Sequence, residues 1–137
     1  MKVNCPLSIG ELVDKTTILE IKSIKITDTS KRKEVFKEKT LLQKRLSDVA
    51  TEMTIRNSAP LALLYALKAD LYEVNFKLWS IEDKIRACEK NKDFSDNFVA
   101  LARAVYKTND ERFEIKNKIN NLTNSSVREV KSYESYS

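Results

Sequence analysis

The sequence contains no histidine, one glycine and two prolines in 137 residues. Without histidine the chain cannot form a Ser-His or Cys-His catalytic dyad, or a metal site with imidazole ligands. With a single glycine it has neither a glycine-rich phosphate-binding loop nor a dinucleotide-binding fingerprint. Because folds with many strands need frequent turn residues, this composition also argues against a β protein. These absences exclude several enzyme classes, and whether the protein is an enzyme stays open.

Cysteine and long apolar runs are also scarce. The two cysteines, Cys5 and Cys88, favour free thiols in a reducing compartment over a structural disulfide. No apolar run approaches the roughly 18 residues of a membrane span, and the first residues lack the apolar stretch of a signal peptide. We therefore expect a cytoplasmic protein with no membrane partner. No cofactor and no metal ion are implied by any motif.

The length suits a single domain, and charged residues are unevenly spread along it. We assign residues 1–122 to one helical domain and residues 123–137 to a flexible, serine-rich tail. The net charge of +5 comes from residues 31–45, which hold seven Lys and Arg against two Glu. Such a stretch can meet phosphates or an acidic partner, although a solvated helix face is the more common explanation.

The basic stretch does not form a single stripe in a helical projection. Lys33, Lys37 and Lys44 share one face, whereas Arg32 and Lys39 are predicted to point elsewhere. No helix-turn-helix or RNA-binding motif accompanies these cations. The sequence therefore disfavours nucleic-acid binding, and we keep it as the third functional alternative.

The first predicted helix has a clear start signal. Ser8 and Glu11 form a capping box, and Leu7 and Leu12 occupy the positions of a hydrophobic staple. Apolar residues then recur on several sides of the helix up to Ile26, which predicts a helix enclosed by neighbours. A second helix is predicted from about residue 30 to about residue 55, after a cluster of cap-forming residues.

The third predicted helix, from about residue 59 to about residue 91, has two apolar stripes. One stripe keeps a strict 3-4 spacing from Leu64 to Cys88, as in coiled coils and long bundles. The second stripe lies beside it and consists of Tyr65, Ala69, Tyr72, Phe76 and Trp79. Two stripes on one helix imply two packing partners, so this helix is either central in the bundle or shared with a second chain.

The fourth predicted helix runs to about residue 122, with Asp93 as its cap. Thr108 and Arg112 occupy core positions of its 3-4 register, where polar residues are unexpected. A break or kink near Thr108 is an alternative, since Thr108 and Glu111 could form a second capping box. The predicted fold is all-α: an antiparallel bundle of four helices, with long, coiled-coil-like second, third and fourth helices.

Three segments together resemble a known family. They are SIGELVDK at residues 8–15, LWSIEDKIR at residues 78–86 and LARAVYKTNDER at residues 101–112. Their combination resembles an uncharacterised family of short proteins of bacteria and their phages. The resemblance implies a cytoplasmic helical protein, and it carries no activity that could be transferred to individual residues.

The polar members of these segments define the candidate site. If the third and fourth helices form an antiparallel hairpin, they bring two polar sets together, and the first helix closes the site. The site then comprises Trp79, Glu82, Asp83, Arg86, Arg103, Tyr106, Asn109, Arg112, Asp14 and Lys15. Guanidinium groups bind carboxylates and phosphates two oxygens at a time, so a small anion is the predicted ligand. Structural ion pairing within the bundle is the competing interpretation.

Three functional classes remain after these arguments. The long heptads and the double stripe favour a non-catalytic interaction module that binds protein and self-associates as a homodimer. A small-anion site or enzyme within the bundle is the alternative. Two pairs of carboxylates lie one helical turn apart, as in helical enzymes that bind Mg²⁺: Glu11 with Asp14, and Glu111 with Glu114. The residues around these pairs do not match those of such enzymes.

Overall fold

The computed structural model describes residues 1–136, and over this range it contains four helices and no strand. The helices are α1 (Ile9–Lys25), α2 (Thr29–Arg56), α3 (Leu61–Lys90) and α4 (Asp96–Thr123). They pack against each other as a bundle. The predicted all-α fold is therefore confirmed.

Local sequence signals account for most of the helix ends. The Ser8 hydroxyl accepts a hydrogen bond from the backbone N–H of Glu11 at 3.1 Å, which is the first half of the predicted capping box. Asp28 caps α2 in the same way through the N–H of Lys31 at 2.8 Å. At the other ends, Asn57 and Asn124 adopt the left-handed conformation with φ of 47° and 50°. Asparagine tolerates this conformation better than most residues, so these positions suit helix termination.

Helices that are adjacent in sequence run antiparallel. In the α3–α4 hairpin, Asn97 lies near Cys88 beside the turn, and Lys77 lies 3.7 Å from Glu111 farther along the two helices. In the α1–α2 hairpin, Arg32 at the start of α2 donates to the carbonyl of Ser23 near the end of α1. The hairpin order predicted from the sequence is thus present.

The short helix α1 lies at the centre of the bundle. It contacts each of the other three helices, and α2 packs mainly on α1. This explains why α1 has apolar residues on several sides. The second stripe of α3 is only partly covered by the rest of the described chain: Tyr65 is 49% exposed and Phe76 37%, while Tyr72 and Trp79 are half-buried. Helix α3 also contacts the other three helices, so both explanations for the stripe stay open.

Helix α4 is continuous through the polar positions of its register. Thr108 is buried inside the helix, with 1% of its surface exposed, so the expected alternative of a break there is wrong. A buried threonine fits this position because its small side chain leaves the helical hydrogen bonds intact. The predicted cap is also shifted, since α4 begins after Ser95, whose N–H donates to Asp93 at 3.1 Å.

Leu78, Ile81 and Cys88 are buried farther along α3, but the main hydrophobic cluster occupies the end of the bundle that holds the α2–α3 connection. It is formed by Leu12, Val13, Leu46, Met53, Leu64, Leu67, Leu71 and Ile119. Both cysteines are free thiols, as predicted; Cys88 is buried and Cys5 is exposed. None of the helices within residues 1–136 is both long and apolar enough to cross a membrane.

The segment after α4 returns along that helix. The Tyr136 hydroxyl donates to Asp110 at 2.6 Å, and Lys131 lies over the ring of Phe113. The hydrogen bond to Asp110 raises the pKa of Tyr136 above its ordinary value. The flexibility assigned to residues 123–137 stays a prediction, and Ser137 lies outside the described residues.

Candidate functional site

A buried carboxylate lies at the meeting point of α1, α3 and α4. Asp14 has no exposed surface, and both of its oxygens accept hydrogen bonds from Arg112, from Nε at 2.8 Å and from Nη2 at 2.5 Å. Asn75 of α3 donates to the same carboxylate at 2.9 Å. Its amide also donates to the Thr17 hydroxyl at 2.9 Å. Three helices therefore contribute to one connected polar network.

The geometry of Arg112 is fixed by this network. The two-point contact with Asp14 raises the pKa of Arg112, although partial burial works in the opposite direction. One nitrogen, Nη1, makes only a long contact of 3.4 Å with Asn109. About a quarter of the Arg112 side chain, 26%, is exposed to solvent. The guanidinium thus has one free edge, and that edge borders a cleft.

A second charged cluster lies one turn along α4. Lys116 is buried, and its ammonium contacts Glu11 of α1 at 3.2 Å and Glu129 of the segment after α4 at 2.5 Å. Burial lowers the pKa of Lys116, but Glu129 and Glu11 outweigh it and raise the pKa above its ordinary value. Glu11 therefore does not complete the predicted capping box; its carboxylate pairs with lysines instead.

The first turn of α1 receives side chains from the far end of the chain. The N–H of Gly10 donates to Asn120 Oδ1 at 2.7 Å, and the N–H of Ile9 donates to Ser125 at 3.2 Å. The helices approach so closely here that a Cβ on Gly10 would lie 2.6 Å from the backbone oxygen of Lys116. Gly10 is therefore required by packing, and the positively polarised N-terminus of α1 is filled from within the chain.

Six of the ten candidate residues line one cleft beside the Asp14 network. The cleft has a volume of about 410 Å³, and Ile18, Asn75 and Leu78 complete its wall. The six candidates in the cleft are Trp79, Glu82, Asp83, Arg86, Asn109 and Arg112. Asp14 lies behind Arg112, so seven of the predicted residues meet in one place.

The remaining three candidates lie elsewhere. Lys15 is exposed and pairs with Glu11 at 3.8 Å. Arg103 is exposed and does not line the cleft, because it lies more than two turns before Arg112 on α4. Tyr106 packs against the ring of Tyr136 on the side of α4 that faces the returning segment. The placement of these three within the site is therefore not supported by the geometry.

Sequence reasoning missed Asn75 of the Asp14 network and Lys116 of the second cluster. Asn75 lies four residues after Leu71 and three before Leu78, and it is buried with 5% exposure. Lys116 lies four residues after Arg112 and three before Ile119, and it is also buried. A polar residue beside the apolar register, on the same helix face, is the signal that could have found both.

The two carboxylate pairs considered for Mg²⁺ have different surroundings. Asp14 is bonded to Arg112, and Glu11 to Lys116 and Lys15. Glu111 faces solvent and pairs with Lys77. Within residues 1–136 no three side chains of metal-binding type converge.

The basic stretch of α2 is largely free of acidic neighbours. Among residues 1–136, no carboxylate lies within salt-bridge distance of a cation between positions 31 and 39. Arg32 and Lys39 both lie over the ring of Phe36, at 5.5 Å and 4.9 Å from its centroid. Arg32 also donates to the carbonyls of Ser23 and Ile26 at the end of α1, at 2.9 Å and 3.1 Å, so it points away from Lys33 and Lys37, as expected.

The fold and these sites define a class: a four-helix bundle with a buried ion-pair network under a small polar cleft. The chain belongs to a family of unknown function, DUF6165, whose model matches residues 1–136. No curated protein and no solved structure matches the chain. The membership confirms that the resemblance is to a family without assigned activity, and its occurrence in bacteria and phages stays an expectation.

Proposed function

We propose that the protein is a self-associating interaction module whose second α3 stripe is the contact between two copies. The observation that carries this proposal is that Tyr65, Ala69 and Phe76 are exposed on the outside of the bundle. Tyr72 and Trp79 of the same stripe are half-buried. A partly exposed row of aromatic side chains on one face of a helix is typical of an interface.

The surroundings of the stripe favour an apolar partner. The segment from Leu61 to Leu67 contains no polar side chain apart from the Tyr65 hydroxyl, and its outward residues Ala62, Leu63 and Ala66 are exposed. Lys68, which follows, is bonded to Glu20 of α1 at 2.7 Å. A partner can therefore approach this end of α3 without desolvating an unpaired charge.

A second copy of the chain fits the spacing of the stripe. Tyr65 and Trp79 each lie two helical turns from Tyr72. In an antiparallel pair with Tyr72 on the two-fold axis, Tyr65 of one copy meets Trp79 of the other. Such isologous contacts are the commonest way in which soluble proteins form dimers. Ala69, between the aromatic residues, lets the two backbones approach.

Sedimentation velocity at tens of micromolar tests this proposal. The wild type is expected to be a dimer and Ala69→Glu a monomer, because the new carboxylate would be buried in the contact. Ala87→Glu places the same substitution on an exposed position of α3 outside the stripe, and it should leave the dimer intact. A monomeric wild type, or a dimeric Ala69→Glu variant, would contradict the proposal.

A small-anion site is the second candidate function, and it is favoured by the convergence of predicted residues on one cleft. The free edge of Arg112 and the exposed Arg86 can donate to the same oxygen atoms, with Trp79 as an apolar wall. The carboxylates of Glu82 and Asp83 repel an anion. Arg86 contacts Glu82 at 3.3 Å, so the ligand has to draw Arg86 away from Glu82.

The fluorescence of Trp79, the only tryptophan, tests this second candidate. Titration with phosphate or citrate at constant ionic strength should change the emission saturably. Arg86→Gln should abolish the change, whereas Arg103→Gln, an exposed arginine of α4 outside the cleft, should not. Emission that does not respond to either anion would leave the network with a structural role only.

A further inference from the structure

We infer that the outer surface of α2 binds single-stranded nucleic acid. The surface comprises Lys2, Arg32, Lys33, Phe36, Lys37 and Lys39, and we call it the cationic surface of α2. It is separate from the α3 stripe and from the cleft, so this inference does not depend on either proposed function.

The first argument is the excess of unpaired positive charge. Half of the twenty lysines and arginines outside this surface, Lys44, Lys68 and Arg112 among them, have a carboxylate partner within residues 1–136. Those of the cationic surface have none within residues 1–136. Lys33 and Lys37 lie one turn apart on one face of α2, where neighbouring side chains are about 5–6 Å apart. This spacing is suitable for successive phosphates of an extended strand.

The second argument is the aromatic side chain among these cations. Phe36 is 43% exposed, whereas the Val35 side chain beside it is buried. Arg32 and Lys39 lie over the ring, and Arg32 is held there by the carbonyls of Ser23 and Ile26. A base that stacks on Phe36 would take the place of Lys39 and leave its ammonium free to contact a phosphate. Aromatic rings surrounded by cations are how proteins bind single strands without reading sequence.

The third argument is that the fold adds a cation that the sequence of α2 does not contain. The segment before α1 runs beside α2, and Lys2 shares a shallow hollow with Phe36, Lys37 and Leu41. Glu34 and Glu38 are the acidic residues of this part of α2, and helical spacing places both on the side opposite Phe36, although Glu34 is a neighbour of Lys37 three residues later. Neither carboxylate lies within salt-bridge distance of a cation of this surface.

Fluorescence anisotropy with a labelled twelve-nucleotide poly(dT) strand tests the inference. About four phosphate contacts give a slope of about −3 in log affinity against log salt, so affinity should fall about 50-fold between 50 and 200 mM salt. The double variant Lys33→Gln/Lys37→Gln should halve the slope, leaving a fall of about sevenfold. Phe36→Leu should weaken binding at least about fivefold through lost stacking.

Matched controls separate this surface from a general effect of charge. Lys84→Gln/Lys118→Gln removes two exposed lysines that lack carboxylate partners among residues 1–136, and it should leave affinity and slope unchanged. Phe94→Leu changes another exposed ring, 54% exposed, and should also have no effect. The inference is overturned if the control pair weakens binding as much as the α2 pair. It is equally overturned if Phe36→Leu binds normally, or if polyglutamate competes as well as poly(dT) at equal charge.

Discussion

At the scale of single residues, Asp14 imposes the strictest requirement on its neighbours. A carboxylate without exposed surface is tolerated only when charge and hydrogen bonds from the protein replace water. Arg112 supplies the charge and Asn75 an additional donor, from two different helices. The register between α1, α3 and α4 is therefore held by polar contacts as well as by apolar packing.

The first prediction is that Asp14→Asn destabilises the fold by about 3–5 kcal/mol, because it leaves the partly buried Arg112 without its counter-charge. The free energy of unfolding in urea measures the effect. Glu82→Gln breaks the exposed pair with Arg86 and should cost less than about 1 kcal/mol. Equal effects of the two substitutions would show that the Asp14 network adds nothing beyond a surface pair.

The second prediction concerns Gly10. Alanine normally stabilises a helix interior by about 0.5–1 kcal/mol relative to glycine. At this position the new methyl group would approach the backbone of Lys116 to 2.6 Å, and a backbone atom cannot move aside alone. We expect Gly10→Ala to destabilise the protein by about 1–3 kcal/mol, as overpacking does. A thermal unfolding midpoint at or above that of the wild type would contradict this reasoning.

At the scale of elements, the Lys116 cluster connects α4 to α1 and to the segment after α4. The ammonium group contacts Glu11 on one side and Glu129 on the other. Because the pKa of Lys116 is raised in the folded state, the charged form stabilises the fold. That contribution is complete below the ordinary value of 10.5 and is lost as the pH rises through the folded-state pKa.

The third prediction follows from this pH dependence. The difference in unfolding free energy between the wild type and Lys116→Met should be constant from pH 7 to about pH 10 and should decline above it. Lys118→Met removes an exposed lysine two residues away, and its difference from the wild type should stay constant across the same range. A Lys116 difference that does not change up to pH 11.5 would exclude a raised pKa.

The fourth prediction concerns the segment after α4, for which we expect mobility. No backbone N–H from Ser126 to Tyr136 donates a hydrogen bond to another residue among 1–136. Amide hydrogens there should exchange on the time scale of an unstructured chain, while those in the middle of α4 are protected. Slow exchange of these amides would show that Tyr136 and Lys131 hold the segment firmly.

The helices and their order could be predicted from sequence, because the 3-4 spacing of apolar residues is a local property. The stripe from Leu64 to Cys88 predicted a helix from about residue 59 to about residue 91, and α3 spans Leu61–Lys90. The partners of individual polar side chains could not be predicted in the same way. Whether Arg112 meets Asp14 or Asp83 depends on how helices rotate relative to each other, which no single helix encodes.

At the scale of the whole molecule, the main apolar cluster and the cleft occupy different parts of the bundle. The core cluster joins the beginning of α1 with the end of α4 and the α2–α3 connection. The cleft lies farther along the α3–α4 hairpin, beyond Asn75. Arg112 and Asn75 belong both to the cleft and to the stabilising Asp14 network, whereas Asp83 and Arg86 of the cleft are exposed, so variants of those two should leave the fold intact.

The fifth prediction compares a position in the apolar cluster with an exposed position. Leu71→Ala, at a fully buried position of the core, should destabilise the protein by about 2–5 kcal/mol. Leu41→Ala, at a position that is 46% exposed, should cost only about 0.5 kcal/mol, as surface substitutions do. Urea unfolding of both variants provides the comparison, and a small effect of Leu71→Ala would place the core elsewhere.

Residues late in the sequence complete the hydrogen bonds of the first turn of α1, and this affects how the protein folds during its synthesis. Ile9 and Gly10 donate to side chains that lie 116 and 110 residues later in the sequence. On the ribosome these acceptors do not yet exist when α1 emerges, and a helix of 17 residues is only marginally stable by itself. Joining ends this far apart costs about 4 kcal/mol of chain entropy, so it has to coincide with packing of the core. The first turn of α1 can therefore complete its hydrogen bonds only after Asn120 and Ser125 have been made, even though the rest of the helix can already pack on α2.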